Sequence, residues 1–157
     1  MLLLNLNNDL RDKTIIEIGS VRENKGKNST RIFLEFCHEN SMNLVSVDND
    51  KIKTEDVLSL DLFNPKICNA VNMNEVDYVK TLQSFDYINI DYVDTQYNYL
   101  EMIKHLDSIS KNISIICFNN IVVNKKVDSV IPYLLDHNWV VIDRNSKSIT
   151  LSKMLKG

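Results

Sequence analysis

The chain has 157 residues, of which 44% are hydrophobic and 25% charged, and its formal net charge is −3. That length and balance suit one globular domain with a sizeable core, and the acidic charge argues against a nucleic-acid backbone as the main partner. Leu2, Leu3 and Leu4 are too few for a signal peptide, and no apolar run approaches the roughly 20 residues that span a bilayer. Cys37, Cys68 and Cys117 each fall inside an apolar pattern without paired spacing. They predict buried, reduced thiols in a cytoplasmic protein, with neither a disulfide framework nor a zinc site.

Residues 1–13 read as a polar lead-in, and a single domain follows over 14–157. Its first strand is the apolar run Ile15 to Ile18, which meets Gly19 and Ser20. A polar loop containing Gly26 leads to a helix from Thr30 to Asn40, with Asn28 or Ser29 as its cap. Ile32, Phe33, Phe36 and Cys37 share one face of that helix and are expected to pack on the sheet. A second strand, Leu44 to Val47, stops on Asp48.

Downstream, Thr54 to Leu60 reads as a short helix capped by Thr54, and Pro65 ends what precedes it. Ile67 to Val71 is the third strand. Asn74 then caps a helix from Glu75 to Leu82, with Asp77 completing a capping-box-like pair. Phe85 to Ile90 is the fourth strand and ends on Asp91. Leu100, Ile103, Leu106 and Ile109 recur at helical spacing as core, and His105 reads as a surface residue. Ile113 to Phe118 is a fifth strand apolar enough to be buried on both faces, ending at Asn119 and Asn120. Val127, Val130, Ile131, Leu134 and Leu135 form a helical stripe, in which Pro132 is tolerable if the helix begins near Asp128. Trp139 to Ile142 and Ser148 to Leu151 flank a turn at Arg144 to Lys147, which predicts a terminal hairpin.

Strand, glycine turn, helix, strand and acid converge at the carboxyl ends of parallel strands, where such sheets bind ligands. Gly19 allows a tight turn and close approach of a ligand. The amides opening the next helix are unpaired donors. Asp48 stands where a carboxylate can accept from both hydroxyls of a ribose, and Glu17 is a second acid at the same rim. A dinucleotide fingerprint needs three closely spaced glycines against the pyrophosphate, whereas here Gly19 alone sits at the turn. A ribose-and-adenine ligand without phosphate fits better than NAD.

The segments IIEIGS, GKNSTRIFLEFC, LVSVDND and FDYINIDYVDTQYNY, in that order, resemble the class I S-adenosylmethionine (SAM)-dependent methyltransferases, and most closely the macrocin- and rhamnosyl-type O-methyltransferases. The resemblance covers most of the chain. It implies a Rossmann-like, doubly wound, mostly parallel α/β sheet ending in an antiparallel hairpin. It implies SAM as cofactor, held by Glu17, Gly19, Ser20, Ser29, Thr30, Asp48, Asn49, Asn72, Met73 and Asp91. It further implies an O-methylation of a hydroxylated small molecule such as a sugar or natural product.

Methyl transfer to oxygen needs donor and acceptor held in line and the acceptor proton removed. Relatives carry an acid-rich motif after the fourth strand and a further acid after the fifth. Asp91 and Asp94 match the first through DYVD, and Asp94 is the leading base, with helix capping as its other use. The histidine of that pattern is absent, and Asn119 and Asn120 stand where the later acid would be. No metal site is therefore assigned. Two readings follow: a methyltransferase with a small-molecule acceptor, or a catalytically reduced methyltransferase-like binding module. Nucleic acid and membrane are not expected partners, while a homodimer or a partner protein is compatible with both readings.

Overall fold

A computed structural model describes residues 10–19, 29–91, 99–121 and 127–155. Strand β1 (Thr14–Ile18), helix α1 (Ser29–Asn40), β2 (Asn43–Asp48), α2 (Lys51–Leu58), β3 (Cys68–Asn72), α3 (Glu75–Thr81) and β4 (Tyr87–Ile90) alternate along the first part of the chain. Helix α4 (Tyr99–Ile109), β5 (Ile115–Asn119), α5 (Val127–Asp136), β6 (Trp139–Arg144) and β7 (Ser148–Lys153) complete it. The seven strands form one sheet in the order β3-β2-β1-β4-β5-β7-β6. β1 to β5 run parallel, and β7 is antiparallel to both β5 and β6.

Alternation along each strand sends neighbouring residues to opposite faces. Ile15 and Leu44 pack with Phe33, Leu34 and Cys37 of α1 and Val57 of α2. Ile16, Ile18, Ile88, Ile90 and Phe118 pack with Met102, Ile103 and Leu106 of α4 and with Val130 and Leu134 of α5. Helices thus cover both faces, which is why the central strands read as largely apolar runs, interrupted by Glu17 in β1, Ser46 in β2 and Asn89 in β4. Cys37, Cys68 and Cys117 are free thiols buried in the α1 layer.

Several local expectations shift. The face that α1 buries is Thr30, Phe33, Leu34 and Cys37, with Ile32 and Phe36 only half-buried at its flank. Helix α2 begins earlier, because Asp50 rather than Thr54 is its cap: the Asp50 carboxylate accepts from the Ile52 amide at 2.8 Å. Thr54 lies inside the helix, where its hydroxyl donates to the Asp50 carbonyl. Asn74 does cap α3, accepting from the amides of Val76 and Asp77. Leu100 (39% exposed) and Leu135 (49% exposed) face outward, and Tyr99 and Met102 take the core positions of α4. Ile113 belongs to the turn before β5, with φ of 66°. Pro132 is the sixth residue of α5, past the first turn, so the helix forgoes one ladder bond there. His105 is half-buried, its Nε2 3.0 Å from the Leu82 carbonyl.

The hairpin is held at the end of the sheet away from the parallel strand tips. Asp107, in α4, accepts from Lys153 Nζ at 2.7 Å and from Trp139 Nε1 at 2.8 Å. Lys153 Nζ also donates to the His137 carbonyl, and its ammonium stands 5.7 Å from the Trp139 ring centre. Burial pushes the Asp107 carboxyl up, but the bonds from Lys153 and Trp139 outweigh it and hold it below the usual carboxylate range. A depressed pKa contributes stability that is complete above the ordinary aspartate value and lost as pH falls through the folded one. Asp107→Asn should therefore cost about 3 kcal/mol at pH 7, because it strands a buried ammonium. Urea unfolding of both proteins checks this; a loss under about 1 kcal/mol would class the contact with ordinary surface pairs.

Candidate functional site

The topology places β1 and β4 side by side with their connections leaving in opposite directions, and ligands enter such sheets at the carboxyl ends of those strands. Gly19 follows β1 with φ of 86°, a left-handed turn where its amide donates to the Val47 carbonyl at 2.9 Å. A residue with a Cβ meets a steric penalty in that conformation. Asp48 ends β2 and is 5% exposed; its Oδ1 accepts from the Asp50 amide at 2.7 Å. Asp91 follows β4, its amide bonded to the Ile18 carbonyl at 3.0 Å, so its backbone is pinned to the end of β1.

The structure brings Gly19, Asp48, Asn72, Met73 and Asp91 to one edge of the sheet. Asn72 and Met73 close the β2–β3 tip: the Asn72 side-chain amide and the Met73 backbone amide both donate to the Asp48 carbonyl at 3.1 Å. Met73 is 39% exposed and Asn49 is exposed beside it. Ser20 and Asp94 lie outside the described residues.

Glu17 differs from its expected place. It is not at the rim but fully buried one residue below Ile18, opposite Ser46 of β2 and Asn89 of β4. Ser29 donates to its Oε1 at 2.7 Å, Ser46 to its Oε2 at 2.9 Å, and Thr30 reaches both oxygens at 2.9 and 2.8 Å. Ser29 and Thr30, both expected on the cofactor, thus turn their hydroxyls to Glu17. Ser29 opens α1 instead of capping it. Burial pushes the Glu17 carboxyl up to about 7, against the hydrogen bonds of Ser29, Thr30 and Ser46 and with help from the Asp91 charge.

At the next strand, Asn120 donates from Nδ2 to Asp91 Oδ1, and Asn119 donates to Asn89 Oδ1 at 2.7 Å. The positions where relatives are expected to carry an acid hold neutral amides that tie β5 to β4. Glu75, at the start of α3, was not anticipated. It is buried near Asp48, with its carboxyl pushed up by burial and then by the Asp48 charge. Ser46 was also missed, although a lone hydroxyl within an apolar strand was a readable signal. A cleft of about 190 Å³ opens beside α1, walled by Ile32 and Phe33 and floored by Tyr87, Asn89, Asn119 and Thr150. Among the described residues no cluster of His, Cys, Asp and Glu is arranged to hold a metal, and no helix is long and apolar enough to cross a membrane.

No family model matches the chain, and no curated protein matches it. Solved structures do. A precorrin-6y C5,15-methyltransferase from Geobacter metallireducens is 14% identical, superposes with a TM-score of 0.70, and is matched over 92% of this chain and 81% of its own. Human methyltransferase-like protein 13, solved with S-adenosylhomocysteine (SAH), gives 12%, 0.65, 92% and 72% for the same quantities. A putative methyltransferase from Pseudomonas syringae gives 12%, 0.64, 96% and 93%. At these identities the likeness establishes the class I methyltransferase fold, with its parallel sheet and terminal antiparallel hairpin. The narrower resemblance to macrocin- and rhamnosyl-type enzymes finds no counterpart in these three.

The Glu17 cluster predicts a pH signature. With the folded pKa near 7 against an ordinary 4.5, the contribution of Glu17 is complete below about pH 4.5 and is lost as pH rises through 7. The rise corresponds to roughly 3 kcal/mol. Glu17→Gln should remove this component, so that its stability falls less than that of the parent between pH 5 and pH 8 in urea unfolding. Parallel pH curves for the two proteins would mean that Glu17 is not the titrating group.

Proposed function

We propose that the protein is a SAM-dependent methyltransferase that methylates a hydroxyl of a small molecule such as a sugar or natural product. The observation that carries this is the edge itself: the buried Asp48 at the tip of β2, one crossover from the Gly19 turn, with Asp91 across the β1–β4 switch point. Asp48 would accept from the ribose hydroxyls, and its bond from the Asp50 amide fixes the carboxylate for that purpose. Gly19 leaves room for the ligand backbone to approach. Met73 and Asn49 would flank the adenine, with Asn72 bracing the tip beneath it. Bound SAM supplies an electrophilic methyl group.

Asp91, held by Asn120, would position the cationic end of the ligand, and Asp94 would take the acceptor proton. The cleft beside α1 is of the order that holds one six-membered ring, which supports a small acceptor. The buried free thiols agree with a cytoplasmic setting.

A second reading is favoured by the amides on β5. Asn120 already occupies an oxygen of Asp91, and Asn119 is spent on Asn89, so neither supplies a base or a charged metal ligand. A methyltransferase-like module that binds SAM without turnover would look the same at the nucleoside half. Turnover with candidate hydroxylated acceptors separates the two.

Calorimetry should show SAM and SAH binding, and Asp48→Ala should weaken both by about 2–3 kcal/mol through loss of charge-assisted bonds to the ribose. Binding of NAD with no response to SAM or SAH at millimolar concentration would sink the proposal. Greater sensitivity at Asp50 than at Asp48 would move the ribose contact to the α2 cap.

A further inference from the structure

Glu17 is the most unusual group in the described structure. A buried carboxylate is ordinarily paired with a cation or neutralised. Here its partners are the hydroxyls of Ser29 and Thr30 from α1 and of Ser46 from β2. The other groups facing it are Asn89, its register partner on β4; Asp91 beyond β4, whose charge acts on it; and Cys68 of β3, whose thiol is pushed up by burial and then by the Glu17 charge. No salt bridge joins Glu17 or Asp91 to a described Lys, Arg or His. Two acids therefore share the β1–β4 tip, one above the other, and the hydroxyls can either donate to Glu17 or accept from it.

We propose that occupation of this edge by a ligand with a cationic group ionises Glu17, so that binding releases a proton from the protein. The inference rests on the SAM reading above, since the cation is the ligand's ammonium or sulfonium held near Asp91. An opposite charge within about 4–6 Å lowers a carboxyl pKa by about 1–3. Glu17 starts near 7, so a protein half protonated at pH 7 becomes almost fully ionised. The balance is simple. The Glu17 carboxylic acid O–H breaks, the proton passes to buffer, and the ammonium of the ligand's zwitterionic amino-acid end, held near Asp91, faces the carboxylate so formed. The three hydroxyls then all donate to the carboxylate. When Glu17 is protonated, its own O–H must donate to one of them. Ser29 and Thr30 are the first residues of α1, so the proton state is read directly at the start of that helix.

Titration calorimetry at pH 7 in buffers of different ionisation enthalpy tests this with two probes, SAH, which carries an ammonium, and adenosine, which does not. The expected result is release of about half a proton per SAH bound and close to none per adenosine. In Glu17→Gln the SAH value should fall toward zero. SAH binding without proton release, equal release for both probes, or unchanged release in Glu17→Gln would overturn the proposal alone. No SAH binding at all would overturn the SAM reading and the proposal with it. If Glu17→Gln does not fold, the comparison of SAH with adenosine on the parent protein still decides the matter.

Discussion

A carboxylate shut off from solvent, with hydroxyls as its partners, sits at the junction of three elements, and the carboxyl edge of the sheet is built above it. Glu17 joins β1 to the first residues of α1 and to the middle of β2. Burying an ionisable group is costly, and the hydroxyls of Ser29, Thr30 and Ser46 reduce that cost without supplying charge. The same bonds tie the start of α1 to β1 and β2. An apolar residue at position 17 would pack, but it would leave the buried hydroxyls of Thr30 and Ser46 and the half-buried one of Ser29 to find other partners.

The edge above it is asymmetric. On the β2 side the groups are acids: Asp48, Glu75 and the Asp50 cap lie close to one another along the chain or across the tip. On the β5 side they are neutral amides, arranged as two cross-strand pairs, Asn119 with Asn89 and Asn120 with Asp91. Coulomb attraction for a cationic ligand therefore concentrates over β1, β2 and β4. The β5 side offers hydrogen bonds without net charge, beside a cleft of modest volume. Recognition of a nucleoside and recognition of a second, neutral molecule are physically separable on such an edge.

At the opposite end of the sheet a different constraint operates. β7 is the last strand of the chain but lies inside the sheet, between β5 and β6, with Ile149 and Leu151 buried. β6 is left at the border, where Val140 and Val141 are partly exposed. Asp107 gathers α4, β6 and β7 through Trp139 and Lys153, and Tyr133 of α5 contacts its second oxygen at 3.4 Å. Here the carboxylate has a cation, and its pKa moves down, whereas that of Glu17 moves up. Of these two poorly solvated acids, one is paired with a fixed ammonium and the other is held by hydroxyls that supply hydrogen bonds without charge.

The order of elements and the terminal hairpin were legible in the chain, because apolar patterning is a local property, and the mostly parallel sheet was implied by the family resemblance. Gly19 at the turn and Asp48 at the strand end were legible for the same reason: each is the residue at which an apolar run stops. The Asn74 cap could be read from its own short sequence, while the α2 cap was misplaced because Thr54 and Asp50 are both good capping residues. The roles of Glu17, Ser29, Thr30 and Ser46 could not be read, since the hydroxyls lie 12, 13 and 29 residues away from the acid they satisfy. Nor could the engagement of Asp91 by Asn120, 29 residues on. A sequence shows which residues can donate and accept; only the register of strands fixed by packing decides which of them meet, and therefore which acid stands at the edge of the sheet and which is closed off beneath it.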